Sequence, residues 1–241
     1  VDWAHLNDVE RLPDGRYMAS LRNQDQVVFL NESGLIEGWT LGSENDYDVL
    51  YEQHNPDYIP ESRGGPAVVV ADSLNDRVVE YQRRDGSWKQ TWVWNDSETI
   101  WPRDADRLPN GHTLVSDSNG NRVLEVNESG DVVWSVPYYS VYEAERLGTG
   151  DESAGGPSAV RANLTSRTAS GNPRGAYEEV AHTLLPRKTV NGLTFVLPMW
   201  AGLGELLAVT VAVLAVLAWA GLELRDSSLD VGLRWPLILR R

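Results

Sequence analysis

Cysteine is absent from this chain of 241 residues. That excludes disulfides, thiolate nucleophiles and Cys-ligated metals, and it removes any clue to redox compartment. Lysine is almost absent too. Lys89 and Lys188 are the only two, and every other basic residue is arginine. Positive charge is scarce overall, with 21 Lys+Arg against 35 Asp+Glu and a net charge of −14. Nucleic acid is therefore not expected as a partner, because binding phosphate needs the opposite sign. The deficit is uneven. Residues 1–152 hold 29 acidic and 12 basic side chains, and the remainder holds 6 and 9. An acidic body thus precedes a mildly basic tail. Dense carboxylate with so little lysine fits a halophilic surface that stays hydrated at high salt. The plainer reading is an acidic protein kept soluble by self-repulsion. Several catalytic signatures are missing as well: G-x-x-x-x-G-K-[ST], G-x-G-x-x-G after a strand, the G-x-S-x-G elbow and H-E-x-x-H. The Asp-rich DSNGN at 117–121 lacks the spacing of a calcium loop and reads as a hairpin turn. No cofactor and no metal are expected.

What the chain does contain is a repeat. RLPDG at 11–15 returns as RLPNG at 107–111, and VVFLNESG at 27–34 returns as VLEVNESG at 123–130, both 96 residues later. Between them lies VVVADSLNDRVVEY at 68–81, whose Val78 stands 51 residues after Val27 and 45 before Val123. A period of about 48 residues, rich in Val, Trp and turn dipeptides, is the mark of a β-propeller blade. Within each repeat, alternating apolar positions suit half-buried strands. Pro-Asp-Gly and Glu-Ser-Gly supply hairpin turns. In the first repeat, DVERL, RYMASL, VVFL and LIEGWTL are the expected strands, and Trp39, Trp92, Trp94 and Trp134 are expected between blades. The expectation is an all-β fold of about three blades over residues 1–142, followed by a C-terminal transmembrane helix. Three blades fall short of the four a closed propeller needs. VDWAHLNDV carries neither an initiator Met nor a signal peptide. The chain is therefore expected to be the C-terminal part of a longer protein. Sequons at Asn31, Asn95, Asn127 and Asn163 are compatible with an exported domain.

Residues 143–192 are rich in Gly, Ser and Pro and read as a linker, with a short helix at 176–185. Residues 193–223 then form one apolar run, in which Trp200 to Leu222 contains a single charge, Glu205. That length suffices to cross a hydrocarbon layer about 30 Å thick. The basic tail at 224–241 holds Arg225, Arg234, Arg240 and Arg241, against Arg187 and Lys188 upstream. This bias favours a cytoplasmic C-terminus and a propeller on the extracytoplasmic side.

Residues that break the repeat are the candidates for chemistry. Counted back from the repeat valines, His5 and His54 fall at comparable loops, with Trp101 at the matching place in the third repeat. Imidazole titrates near neutrality and can serve as nucleophile, acid or base. Arg22 stands where the other repeats have Ser73 and Ser118, so it is the arginine outside the pattern. A planar guanidinium suits a tetrahedral oxyanion. Asn7, two residues after His5, could donate its amide to the same anion. Arg77 and Arg122 belong to the repeat and are expected to hold a turn or bond a neighbouring carboxylate. His112 reads as surface, and His182 carries no constellation.

DWAHLNDVERLPDGRYMASLRNQ, WTLG, QHNPD and the stretch DSLNDRVVEY resemble the arylsulfotransferase (aryl-sulfate sulfotransferase) family over roughly residues 1–137. The C-terminal apolar run resembles membrane-attached haloarchaeal members. The resemblance implies a six-bladed propeller that moves a sulfuryl group from a phenolic sulfate ester to a phenol through a sulfated histidine, without a nucleotide donor. It assigns His54 as nucleophile, His5 and Asn7 as the H-x-N pair, and Arg22 as the arginine on the sulfuryl oxygens. The family has a further site histidine in an earlier blade, which has no counterpart here. The competing expectation is a non-catalytic propeller that binds a partner, a glycan or a small anion at the cell surface.

Overall fold

The computed structural model describes residues 3–148, 155–169, 183–197, 203–226, 230–232 and 238–240. Three antiparallel sheets follow one another along the chain. The first contains β1 (Leu6–Arg11), β2 (Tyr17–Leu21) and β3 (Gln26–Asn31), with the short β4 (Gly34–Leu35) and β5 (Leu41–Gly42) both paired to β3. The second runs β6 (His54–Ile59), β7 (Ala67–Asp72), β8 (Arg77–Arg84) and β9 (Ser87–Asn95) in spatial order. The third does the same with β10 (Pro102–Arg107), β11 (Thr113–Asp117), β12 (Arg122–Val126) and β13 (Val132–Pro137).

Alternation along the strands sends successive side chains into different cores. Val68, Val70 and Val79 pack with Met18, Val27, Phe29 and Leu41 between the first and second sheets. Val69 and Val78 face the other way, onto Trp92, Trp94, Ala105, Val115 and Leu124 of the second and third sheets. Having two cores explains why all of β7 is buried and why its sequence opens with the unbroken small-apolar run AVVVA before Asp72. Trp92 and Trp94 are fully buried, and their indole N–H groups donate to Thr165 O and Gly130 O. Burial of such rings with their polar edge satisfied adds several kcal/mol, at about 25 cal/mol per Å².

The expected arginine turns are present. Arg77 binds Asp72 at 2.7 Å, and Arg122 binds Asp117 at 2.8 Å and Asp96 at 2.6 Å. Asp117 also accepts from the backbone of Gly120 and Ile100, which fixes DSNGN as a turn. Other expectations need correction. LIEGWTL is not one strand. It breaks at Gly38, whose φ of +71° only a glycine adopts readily, so that Trp39 can turn inward onto Phe29 at 5.2 Å. Trp134 is exposed on β13 and does not pack between sheets.

The segment expected to be a linker is in part packed structure. Residues 138–148 return over the far face of the third sheet, where Val141 joins Leu108, Leu114 and Val123. Residues 155–169 form the short helix α1 (Ala159–Ala162) and the strand β14 (Arg167–Thr168), which pairs in parallel with β9. The backbone of Ala159 donates to the Glu80 carboxylate, itself 3.1 Å from the fully buried Arg107. A buried ion pair capped by backbone amides needed no apolar pattern to announce it. The short helix expected over 176–185, like His182, lies largely outside the described residues. The helix α2 (Arg187–Val196) follows, with Val190 buried.

Residues 197–241 form a second unit. Its main element is the helix α3 (Leu203–Asp226), so the upstream part of the expected 193–223 span belongs to α2 rather than to this helix. Gly204–Arg225 is long and apolar enough to cross a bilayer. The Thr210 hydroxyl donates to Leu206 O one turn back, so the helix itself satisfies that polar group. Strands β15 (Asp230–Gly232) and β16 (Ile238–Arg240) pair antiparallel beyond it.

Candidate functional site

The first strands of the three sheets, β1, β6 and β10, lie side by side, with β6 in contact with both others. Each is entered through a residue in the left-handed region: His5 at φ 46°, Glu52 at 46° and Trp101 at 51°. Each then loses register with its neighbour, between Leu6 and Asp8, between His54 and Asp57, and between Pro102 and Asp104. Such irregularities re-aim side chains at the ends of strands. Two residues after the left-handed one stand Asn7, His54 and Arg103; Asn7 and Arg103 fall in the irregularity itself, whereas His54 pairs with Ala71 and the irregularity follows at Asn55 and Pro56.

This corrects the sequence-based alignment. His54 is the counterpart of Asn7 and Arg103, while His5 matches Glu52 and Trp101. The connection between β6 and β7 is longer than its equivalents, so Glu52 stands 26 residues before Val78 where His5 and Trp101 stand 22 before their valines, and counting back from the valines misplaces the second repeat by four residues. The 96-residue spacing shared by RLPDG/RLPNG and by the valines sets Asn7 opposite Arg103.

His54 is 3% exposed. Its Nδ1 lies 2.8 Å from Ser73 Oγ, and that oxygen lies 2.7 Å from Pro102 O. A carbonyl only accepts, so the Ser73 hydroxyl gives its proton to Pro102 and must accept from His54 Nδ1–H. This tautomer leaves the lone pair on Nε2. Burial drives the His54 pKa down to about 3, the Arg103 and Arg22 guanidiniums push the same way, and the Glu52 carbonyl opposes them. The ring is therefore neutral at physiological pH. The ring stands nearly perpendicular to two aromatic side chains: Trp101 at 6.5 Å and 80°, and Tyr142 at 6.1 Å and 79°.

Arg22 begins the 3-10 turn after β2, just as Ser73 begins the one after β7. Its Nε and Nη2 donate to one Glu52 oxygen at 3.1 and 2.6 Å, and Lys188 from α2 reaches the other oxygen at 2.8 Å. Burial works against the Glu52 charge, but Lys188 and Arg22 outweigh it and hold the carboxyl below its usual value. His5 is half-buried, and its carbonyl accepts from the Arg22 backbone, so strand pairing brings the two together. Asn7 Nδ2 donates to Gln53 O at 2.8 Å, which engages the amide that the sequence reading had directed at an anion. Its Oδ1 is buried without a hydrogen-bond partner.

Arg103 was missed from the sequence. Its guanidinium stacks over Trp101 at 4.6 Å and Tyr142 at 5.0 Å. Tyr142 carried no repeat signal, since it arrives on the segment that folds back over the third sheet. Farther along these first strands stand carboxylates. Burial raises Asp8 to about 6 and Glu10 to about 7. Among the described residues, no group of His and carboxylate side chains has the arrangement of a metal site. His112 is bound to Glu125 at 2.6 Å, away from this cluster.

A neutral imidazole with a free lone pair, two guanidiniums acting on it and two aromatic walls make a centre suited to an aromatic oxyanion. The residues that build it lie almost entirely within a recognised family region. The chain belongs to the arylsulfotransferase (ASST) family, whose sequence profile matches residues 1–139. No curated protein sequence matches the chain. Among solved structures it is similar to virginiamycin B lyase from Staphylococcus aureus, at 12% identity and a TM-score of 0.43, covering 59% of this chain and 44% of that one. It is also similar to the periplasmic gluconolactonase of Pseudomonas aeruginosa, at 16% identity and a TM-score of 0.44, covering 57% and 41%. The chain thus spans less than half the length of these structures.

Proposed function

We propose that the protein transfers a sulfuryl group from an aryl sulfate to a phenol through His54. The observation that carries this reading is the His54–Ser73–Pro102 chain of hydrogen bonds, which leaves Nε2 as an unprotonated nucleophile. Nε2 attacks sulfur, and the bond from sulfur to the aryl oxygen breaks with its electron pair on the phenolate. The sulfuryl group is then held on His54. An acceptor phenol oxygen attacks the same sulfur, the S–N bond breaks and neutral His54 is restored. The acceptor's proton balances the one taken up by the departing phenolate. Hydrogen-bond donors at the equatorial oxygens stabilise the charge that develops during both steps. Arg22 and His5 act there, with Asn7 bracing the strand end through Gln53.

In this reading the three sheets are consecutive blades of a six-bladed propeller, supported by their common register and adjacent first strands. The helix α3 anchors the protein to a membrane, with the propeller on the extracytoplasmic side. The test is incubation of the protein with 4-nitrophenyl sulfate. Mass spectrometry should find a sulfuryl adduct on His54, and His54→Ala should abolish both the adduct and phenol release. Phenol release unchanged in His54→Ala would end the proposal. Sulfate binding with no adduct in the unaltered protein would favour the non-catalytic, anion-binding alternative.

A further inference from the structure

We propose that Arg103 is a second sulfuryl-binding residue, gripping the transferred group together with His54 between the rings of Trp101 and Tyr142. The proposal rests on the sulfuryl-transfer reading and extends it to a residue outside the H-x-N, arginine and Q-H pattern.

Three observations carry it. First, Arg103 stands two residues after the left-handed Trp101 on β10, as Asn7 stands after His5 on β1 and His54 after Glu52 on β6. Three adjacent strands therefore deliver an amide, an imidazole and a guanidinium at one level. Second, Arg103 and His54 share both aromatic neighbours. The guanidinium lies over the Trp101 and Tyr142 rings at 4.6 and 5.0 Å, and the imidazole meets the same rings at 6.5 and 6.1 Å. Stacking on ring faces holds a guanidinium in place through cation–π attraction. Third, both arginines act on the same imidazole, and Arg22 also donates Nε and Nη2 to Glu52. Among the charges acting on the His54 ring, Arg103 stands ahead of Arg22. A sulfuryl group on Nε2 carries three equatorial oxygens and a negative charge. The planar fork of Arg103 can bridge two of those oxygens, which a lysine cannot do.

The experiment uses the whole protein in detergent and two probes, 4-nitrophenyl sulfate and inorganic sulfate. Arg103→Gln should lower kcat/KM about 100- to 1,000-fold, the range seen when one donor to a developing oxyanion is removed. It should weaken inhibition by inorganic sulfate at least about tenfold, and Arg103→Lys should recover only part of either effect. The His54 ring, followed by NMR, should titrate at higher pH in Arg103→Gln, because a repelling charge has gone. Since Arg103→Lys keeps the charge over the rings, it serves if the glutamine variant does not fold. Sulfate inhibition and kcat/KM within about twofold of the unaltered protein in both variants would overturn the proposal. If the unaltered protein forms no adduct yet binds sulfate, and Arg103→Gln weakens that binding, the transfer reading fails while the anion-binding role of Arg103 stands.

Discussion

Acidification should destabilise this protein through His54 by an amount that the structure specifies. The ring is buried, titrates at about 3 in the folded state and at 6.5 when free of the fold. Between those values the unfolded chain binds a proton that the native state refuses. Stability from this group is therefore complete above pH 6.5 and is lost as pH falls, until both states are protonated below about 3. From pH 7 to pH 5 the loss is about 2 kcal/mol, since each pH unit in that window approaches 1.4 kcal/mol. The figure hardly changes wherever the folded group titrates below pH 4. Other buried groups act in the opposite direction. Burial raises Asp8 and Asp72 to about 6 and Glu10 and Asp117 to about 7. Raised carboxyls favour the fold at low pH and cost stability as pH rises through their folded values. The total stability curve is therefore not diagnostic, but the difference between the protein and His54→Gln is. Urea unfolding in detergent micelles, followed by tryptophan fluorescence at pH 5, 6, 7 and 8, should show the variant gaining about 2 kcal/mol on the unaltered protein between pH 7 and pH 5. That is about a 30-fold change in the folding equilibrium. Parallel curves would refute the reasoning, because they would mean that His54 is as easily protonated in the fold as outside it.

Two further outcomes follow from named contacts. Ser73→Ala removes the acceptor that fixes the His54 tautomer, so kcat should fall about 10- to 100-fold with KM little changed, and the ring ¹⁵N shifts should report a mixture of tautomers; unchanged shifts would remove Ser73 from its positioning role. Glu80→Gln leaves Arg107 charged and fully buried without its partner, which should cost about 3–5 kcal/mol and lower Tm by several degrees in a thermal melt; a loss under about 1 kcal/mol would show that the Arg107 charge is compensated elsewhere.

Much of the β-structure was legible because its signals are local. RLPDG and RLPNG specify the same turn, and alternating valines specify the same strands, whatever surrounds them. The arginine turns were legible for the same reason, since Arg77 and Arg122 stand five residues from their carboxylates. The site was legible only in part. His5, Asn7, Arg22 and His54 drew notice as departures from the repeat, but their mutual placement depended on a turn length. The longer β6–β7 connection moved His54 onto the level of Asn7 and Arg103. Tyr142 and the segment at 155–169 could not be read at all. Their neighbours are distant in sequence, and a Gly-rich composition reads as linker whether or not the chain folds back.

Taken alone, the amino-acid order determined the period, the strands, the acidic surface and one apolar helix long enough for a bilayer, because each follows from propensity, turn chemistry or composition over a short window. Tertiary structure decided which ring nitrogen of His54 is free, which guanidiniums bear on it and which aromatic rings flank it. Those properties come from burial and from contacts between sheets, and burial and contact belong to the folded chain rather than to any stretch of it.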